Sequence, residues 1–281
     1  ILKKKGTGKT MSKHMDLSDI EFVLSNLKSK EVPLAMKSTL LTAWMMLDSS
    51  VDELEKLTYL KSNYKKYVSD ELFFLFEPPS LETFDQAIYD LRNHQSISNE
   101  TLTHCLNQIC AGDVSEEKTT ALFEGLRLKE ETFEENACVY DYFRSKTMSY
   151  SLDVPLLIDF ATPYDGFNRS YFLQPFVASL LAAVGIPVIL HGVHEVSPKN
   201  GQNTHKLFLK AQKNPLKSSH DVAQDIKNPS IGWGYIDQSI FCKELHNLIQ
   251  MRFAMVKRPL LATIEKWLQP FSADQTICLQ G

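Results

Sequence analysis

An internal repeat in the first half of the chain sets the strongest limit on its fold. Apolar residues recur there at a fixed offset of 82 residues and at helical spacing within each copy. The matched pairs are Ile20 with Leu102, Leu24 with Leu106, Leu27 with Ile109, Val32 with Val114, Leu40 with Leu122 and Val51 with Phe133. Because residues three and four positions apart share a helix face, each copy predicts three helices joined by short turns.

The repeat predicts an N-terminal helical domain that contains one unit twice. Residues 1–58 form the first predicted unit, residues 59–95 a helical connector and residues 96–150 the second unit. Each copy places a capping residue ahead of acidic residues, in Ser49–Glu53 and in Glu131–Glu135, and this order favours the start of a third helix. A bundle that buries the apolar faces, rather than a catalytic site, is the favoured interpretation of this half.

The second half changes to strand-type patterning. Two short apolar runs predict buried strands, and the segment between them predicts a helix. These elements are Val154–Phe160, a helix from about Tyr171 to Val184 with Ser170 as its cap and Gly185 at its end, and Pro187–Leu190. Strand, helix and strand in this order predict an α/β domain in residues 151–281, so the expected fold class is α followed by α/β.

The loop between the first strand and the helix is the predicted ligand site. Free backbone N–H groups and the helix dipole favour phosphate or another anion at such a loop. Asn168 and Arg169 would contact the anion, although Arg169 equally fits an ion pair with Asp165, and Asp165-Gly166 is more typical of a turn than of a catalytic acid. The predicted phosphate- or ligand-binding residues are Thr162, Tyr164, Asp165, Gly166, Asn168, Arg169, Ser170, His191, Gly192, Arg252 and Arg258.

Other chemistry finds little support in the sequence. No Ser–His–Asp or Cys–His arrangement can be inferred, so catalytic residues stay unassigned. The five cysteines have no Cys-x-x-Cys spacing, and His194 and His205 are isolated, so no metal site is expected. The same cysteine pattern indicates an intracellular, reducing compartment, either the cytoplasm or an organelle such as a plastid. No apolar run is long enough to predict a membrane-spanning helix.

Charge gives nucleic-acid binding only local support. The formal net charge is −4, and neither half is strongly basic. The segment Gly6–Thr10 lacks the first glycine of a nucleotide-binding P-loop. Lysines between Lys3 and Lys13 nevertheless form a predicted cationic arm that could contact phosphates. Aromatic residues alternate with lysines from Tyr59 to Tyr67. There a packed helix is favoured over a stacking platform for bases, and both interpretations stay open.

Several segments together resemble the anthranilate phosphoribosyltransferase-like proteins of glycosyltransferase family 3. Leu126–Thr132 is similar to the family's Leu-Arg-x-Lys-Gly-Glu-Thr turn, and Gly185–Gly192 is similar to its strand ending in Lys-His-Gly. The resemblance covers nearly the whole chain, although two helical units stand where the family has one. It implies an N-terminal helical domain, the start of an incomplete α/β phosphoribosyltransferase-like domain, and assembly as a homodimer or as a subunit of a larger complex.

The departures from the family imply a changed function. The family holds the pyrophosphate of phosphoribosyl pyrophosphate with a Gly-Thr-Gly-Gly-Asp loop, and Phe160–Asp165 stands in its place. Pro163 removes a backbone donor there, and Tyr164 fills space where the ligand would lie. Residues 155–169 resemble a divergent branch without that loop. The resemblance therefore implies loss of anthranilate activity and binding of phosphate-bearing ligands, with single-stranded nucleic acid among them. Two alternatives stay open: an active phosphoribosyltransferase, for which Mg²⁺ would be needed, and a non-catalytic scaffold subunit.

Overall fold

The computed structural model describes residues 1–280, which fall into two compact units. The first unit comprises residues 1–139 and 251–260, and the second comprises residues 140–250 and 261–280. The predicted division after residues 58, 95 and 150 stays a prediction. Within residues 1–280, no helix combines the length and apolar character that crossing a membrane requires.

The N-terminal half is helical, and its helices repeat. They are α1 (Leu2–Lys5), α2 (Leu17–Asn26), α3 (Leu34–Met46), α4 (Val51–Tyr67), α5 (Thr83–Arg92), α6 (Asn99–Ala111), α7 (Glu116–Lys129) and α8 (Phe133–Lys146), with a 3₁₀ turn at Asp70–Leu75. The starts of α6, α7 and α8 follow those of α2, α3 and α4 by the same 82 residues. The predicted duplication of a three-helix unit is confirmed.

Side-chain caps explain where α2, α4 and α6 begin. Asp16 accepts a hydrogen bond from the N–H of Asp19 at the start of α2, and Ser98 accepts one from Thr101 at the start of α6. Ser50 forms a reciprocal capping box with Glu53 at the start of α4. Such caps satisfy N–H groups that have no partner within the helix, so each turn ends at a defined residue.

The second unit is an α/β unit. Its strands are β1 (Tyr150–Ser151), β2 (Leu156–Ala161), β3 (Val188–Gly192), β4 (Trp233–Asp237), β5 (Phe271–Ser272) and β6 (Gln275–Gln280). The helices from residue 174 onward are α9 (Gln174–Ala183), α10 (Thr204–Lys210), α11 (Ser219–Lys227), α12 (Gln238–Phe241), α13 (Lys243–Asn247), α14 (Ile249–Arg252) and α15 (Leu261–Ile264), followed by a 3₁₀ turn at Glu265–Trp267. The α plus α/β fold class is confirmed.

A parallel sheet organises this unit. Its strand order is β4-β3-β2-β6, and β1 pairs with β5 in a separate parallel ribbon. One sheet face packs under α9 through a cluster that includes Ile158, Val188 and Ala178. Because all four strands run in the same direction, their carboxyl ends lie along one edge, where α/β sheets bind ligands.

The helix after β2 differs from the prediction. It begins at Gln174 rather than Tyr171, and its N-cap residue Leu173 makes no side-chain capping bond, so the prediction of Ser170 as the cap was wrong. The reason is Pro175, because proline has no N–H group and is favoured in the first helical turn. Gly185 follows the helix with a φ of +82°, the left-handed conformation that suits glycine at a helix end.

Candidate functional site

The loop after β2 is closed by a second loop of the same unit. Phe167 and Gln202 exchange backbone hydrogen bonds of 2.9 and 3.0 Å, and the N–H of Gly201 donates to the carbonyl of Asp165 at 2.8 Å. Gly166 lies in this contact with a φ of +76°, and a Cβ there would come within 2.7 Å of the Gln202 carbonyl oxygen. A glycine is therefore required at position 166, in the turn that the sequence predicted.

A buried chain of hydrogen bonds fills the space beneath this loop. Tyr164 Oη lies 2.5 Å from His191 Nδ1, and His191 Nε2 lies 2.9 Å from Asp159 Oδ1. Because the carboxylate can only accept, Nε2 carries a proton. Tyr164 Oη also lies 3.2 Å from the carbonyl oxygen of Glu265, to which it donates. Burial raises the pKa of Tyr164 well above its ordinary value, so the phenol remains a neutral donor.

Most of the predicted ligand residues near this loop are buried. Tyr164 is 1% exposed and His191 is 1% exposed, and each makes its hydrogen bonds to protein groups. The other buried members of the predicted set that belong to this unit are Thr162, Asp165, Gly166 and Gly192. The side chain of Tyr164 thus occupies the centre of the turn.

The start of α9 offers few donors to an anion. Pro175 has no N–H group, and the N–H groups of Phe176 and Val177 both donate to the carbonyl of Leu173, each at 3.0 Å. An anion site at a helix N-terminus needs several unused N–H groups that point at the ligand. These two N–H groups are therefore not available to a phosphate, and the phosphate site at this helix end stays a prediction.

The outer side of the two loops is polar and cationic. Asn168, Arg169 and Ser170 are exposed, and Asn168 Nδ2 donates to the carbonyl of Lys199 at 2.8 Å. We call the surface formed by residues 166–172 and 199–210 the paired-loop surface.

Three lysines that the sequence reasoning missed belong to the paired-loop surface. Lys199 lies 6.0 Å from the centre of the Phe167 ring. Lys206 donates to the carbonyl of Asn200 at 2.9 Å and pairs with Glu195 at 3.4 Å, while Lys210 donates to the side chain of Gln202 at 2.9 Å. The signal was local, since Pro-Lys-Asn-Gly after β3 is a turn pattern that presents a lysine.

A second polar cluster lies at the carboxyl end of β4. His205 Nδ1 lies 2.7 Å from Asp237 Oδ2, and the His194 ring lies 5.1 Å from the His205 ring, so the two histidines are not isolated in space. Burial opposes ionisation of Asp237, but hydrogen bonds from His205 and Ser239 outweigh it and lower its pKa. Within residues 1–280, no group of three or more histidine, cysteine, aspartate or glutamate residues could hold a metal ion.

The remaining predicted basic residues lie in the other compact unit. Arg252 is buried and Arg258 is exposed in the segment 251–260. The predicted lysine arm is largely neutralised there, because Lys4 pairs with Asp16 and Asp19 and Lys9 pairs with Glu130, while Lys5 is buried against Glu53. Lys4, Lys5 and Lys9 of the predicted cationic arm thus pair with carboxylates of the protein.

The chain has curated relatives. It is 25% identical over 185 residues to an uncharacterized protein of Aquifex aeolicus (strain VF5), a match that covers 66% of this chain and 54% of that protein. It is 28% identical over 191 residues to an anthranilate phosphoribosyltransferase of Desulfosudis oleivorans, covering 67% and 53% of the two chains. No family model matches it. The chain spans about half the length of the curated relatives it matches.

Solved structures share its fold. The anthranilate phosphoribosyltransferase from Thermus thermophilus superposes with a TM-score of 0.52 at 17% identity, over 66% of this chain and 57% of that one. The Saccharomyces cerevisiae enzyme in complex with PRPP and Mg gives a TM-score of 0.53 at 14% identity, over 68% and 56%. In its fold and in its weak sequence similarities, the chain resembles anthranilate phosphoribosyltransferases.

Proposed function

We propose that this protein binds phosphate-bearing ligands on the paired-loop surface and has no anthranilate phosphoribosyltransferase activity. The observation that carries the proposal is the position of Tyr164, which is buried in the turn after β2 and hydrogen-bonded to His191. Because the Tyr164 side chain fills the inside of the turn, a ligand would bind on the outer face of the turn. Arg169 stands exposed on that outer face, with Asn168 and Ser170 on either side of it.

The loss of the diphosphate cradle follows from the residues of the turn. A close cradle needs successive backbone N–H groups that approach the phosphates without a Cβ in the way. Pro163 has no N–H group, and the N–H of Gly166 already donates to the Pro163 carbonyl at 3.0 Å. Few backbone N–H groups of this turn are therefore available to bind a pyrophosphate.

Charge supports binding on the outer face. Arg169 and Lys199 lie on the two paired loops, and Lys206 and Lys210 lie on α10, which follows the second loop. Glu195 pairs with Lys206 at 3.4 Å. A guanidinium and several ammonium groups on one surface attract phosphate oxygens, with arginine offering the bidentate geometry. The local balance is thus cationic although the formal net charge of the whole chain is −4.

Exposed aromatic rings favour single-stranded nucleic acid as the ligand. Tyr171 is 89% exposed, and Phe167 and Phe172 lie beside each other with ring centres 5.7 Å apart. Surfaces that bind single strands combine cations that follow the phosphates with aromatic rings on which bases stack. On α4, Tyr64 is stacked on Phe76 with ring centres 5.1 Å apart, whereas Tyr59 is 47% exposed.

The test is a titration of a fluorescently labelled 12-residue single-stranded oligonucleotide, followed by anisotropy. We expect Arg169→Gln/Lys199→Gln to weaken binding about ten-fold at low salt, because two phosphate contacts are lost. The matched control, Lys227→Gln/Lys243→Gln, removes two exposed lysines on α11 and α13, outside the paired loops. Equal losses in both double variants would show only a general charge effect and would refute the assignment of the surface.

An active phosphoribosyltransferase is the second candidate. Its support is the name of the curated relatives and the yeast structure described as a complex with PRPP and Mg. Calorimetric titration of the protein with phosphoribosyl pyrophosphate and Mg²⁺ separates the two candidates. Heat that survives Arg169→Gln/Lys199→Gln would favour the transferase, whereas absence of heat favours the first proposal.

The proposal extends to the oligomeric state of the protein and to its cellular compartment. A homodimer or a place in a larger complex was the expectation from the family resemblance, and a scaffold role is the third candidate because the helical unit is duplicated. Sedimentation equilibrium of the protein at micromolar concentration tests the assembly. An intracellular, reducing location is supported by cysteine spacing that suits neither a disulfide framework nor a zinc site.

A further inference from the structure

The middle helices of the two repeats pack on each other. Helices α3 and α7 form the most extensive contact between any two elements of the described chain. Both are buried on nearly all sides, including polar residues such as Ser38, Thr42, Thr119 and Thr120. A helix that is buried all round lies at the centre of its unit, so this pair forms the middle of the helical unit.

The contact between α3 and α7 is reciprocal. Ser38 Oγ donates to the carbonyl oxygen of Glu117 at 2.6 Å, and Thr120 Oγ1 lies 3.3 Å from the carbonyl oxygen of Ala35. Ser38 and Thr120 are 82 residues apart, and so are Ala35 and Glu117. Each helix therefore presents the same two positions to the other.

The two helices run in the same direction. Their first turns meet at the Ser38 and Thr120 contacts, and near their ends Met46 and Leu128 pack in one cluster with Ala43. Met46 and Leu128 are again matched positions at the 82-residue offset. A parallel pair with matched residues facing each other has approximate two-fold symmetry, which is the geometry of an isologous dimer interface.

We propose that α3 and α7 form a self-complementary interface that is closed within one chain, so that the first helical unit is the binding partner of the second. An isologous face is complementary to itself, so such a face on one helical unit binds the same face on a second copy of that unit. Here the second copy is supplied by the same polypeptide. The face of α7 that contacts α3 is then occupied in each chain, and a dimer of the whole protein would use a different surface.

Complementary charges introduced on α3 and α7 test whether the two helices pair within one chain or between two chains. Ser38 and Thr120 suit the test, because their hydroxyl oxygens lie 2.6 and 3.0 Å from one oxygen, the Glu117 carbonyl. We expect Ser38→Lys alone and Thr120→Asp alone to lower the Tm of the full chain by on the order of 10 °C, since each buries an unpaired charge. Ser38→Lys/Thr120→Asp in one chain should recover at least half of that loss.

The control shifts the same charges by one residue. Thr119 is buried but donates to the carbonyl of Ser115 within its own helix, so Ser38→Lys/Thr119→Asp should not recover the Tm. Mixing the two single variants, refolded together, should also give no recovery. Recovery in the mixture with a doubled mass on native mass spectrometry would place the interface between chains and overturn the proposal, as would no recovery by the cis double variant.

A milder exchange keeps the proposal testable if the charged variants do not fold. Ser38→Thr/Thr120→Ser swaps the two hydroxyl residues between matched positions of the pair. The two-fold arrangement predicts a Tm within about 2 °C of the unmodified protein, because each helix then presents what the other presented before. A Tm as low as that of the less stable single variant would contradict the matched environments and overturn the proposal.

Discussion

Glu53 and Glu135, 82 residues apart in sequence, accept the same two backbone hydrogen bonds in the two repeats. Glu53 accepts from the N–H groups of Met15 and Ser50 at 3.0 and 2.8 Å, and Glu135 accepts from those of Ile97 and Thr132 at 3.2 and 2.9 Å. All four donors are matched by the same offset. Each carboxylate thus holds the start of its helix to the segment before the first helix of its own repeat.

The lysines that neutralise these carboxylates come from unmatched positions. Lys5 lies 2.9 Å from Glu53, whereas Lys129 lies 2.8 Å from Glu135 and precedes it by only six residues. The carboxylate and its backbone donors are therefore the repeated feature, and the cation is not. Burial opposes ionisation of Glu53, but the bonds from Met15, Ser50 and Lys5 outweigh it and lower its pKa.

We expect Glu53→Gln to lower the free energy of unfolding by about 3 kcal/mol, because Lys5 would be left buried without its partner charge. Urea unfolding at pH 7 measures this loss. Asp52→Asn, an exposed neighbour in the same helical turn, is the control and should change stability by less than about 0.5 kcal/mol. The double variant Glu53→Gln/Lys5→Met should recover part of the loss, and failure to recover any of it would contradict the unpaired-charge explanation.

The buried pair of Glu124 and Lys257 makes the stability of the protein depend on pH. The two charges lie 2.9 Å apart, and burial raises the pKa of Glu124 to about 7 despite the opposing effect of Lys257 and Arg127. The folded state then keeps a proton that the unfolded state releases near pH 4.5. The contribution of the Glu124 carboxyl to the free energy of unfolding therefore falls as pH rises from about 4.5 to about 7 and is constant above that.

We expect the unmodified protein to lose about 2 kcal/mol more than Glu124→Gln between pH 5.5 and pH 8, since the glutamine cannot titrate. Urea unfolding at the two pH values measures the difference, and Glu116→Gln, an exposed position on the same helix, should behave like the unmodified protein. Parallel curves for the unmodified protein and Glu124→Gln would mean that Glu124 is ionised throughout this range.

The variant Tyr164→Phe distinguishes a structural role of the Tyr164 hydroxyl from a direct contact with the ligand. We expect Tyr164→Phe to lower the free energy of unfolding by about 1–3 kcal/mol, because His191 Nδ1 and the Glu265 carbonyl would both lose a buried hydrogen-bond partner. Oligonucleotide binding should stay unchanged, since the hydroxyl faces the protein interior. Tyr171→Phe, at an exposed position, is the stability control. Loss of binding by Tyr164→Phe without loss of stability would place the hydroxyl against the ligand.

Periodicity was sufficient to predict the helical repeat and two of the four strands of the sheet, β2 and β3. Most of the apolar positions that match at offset 82 lie on helices whose starts match at the same offset. Strand β2 lies within two residues of its predicted bounds because its apolar run ends at Thr162-Pro163. The start of α9 was missed because Ser170 looked like a cap while Pro175 set the actual first turn.

The candidate site was less predictable because its residues meet only in three dimensions. The sequence shows His191 and Asp159 32 positions apart, and only the pairing of β2 with β3 brings them together. Lys199 reaches Phe167 because two loops pair through backbone bonds, which leave no sequence pattern. The neutralised lysine arm was missed for the same reason, since Lys9 meets Glu130 across 121 residues.

Salt dependence of oligonucleotide binding tests the central claim most directly. If the four cations of the paired-loop surface contact phosphates, the logarithm of the association constant should fall with the logarithm of salt concentration with a slope of about −3. Arg169→Gln/Lys199→Gln should reduce that slope to about −1.5. Absence of binding at 50 mM salt, or a slope that the double variant leaves unchanged, would contradict the assignment of phosphate binding to this surface.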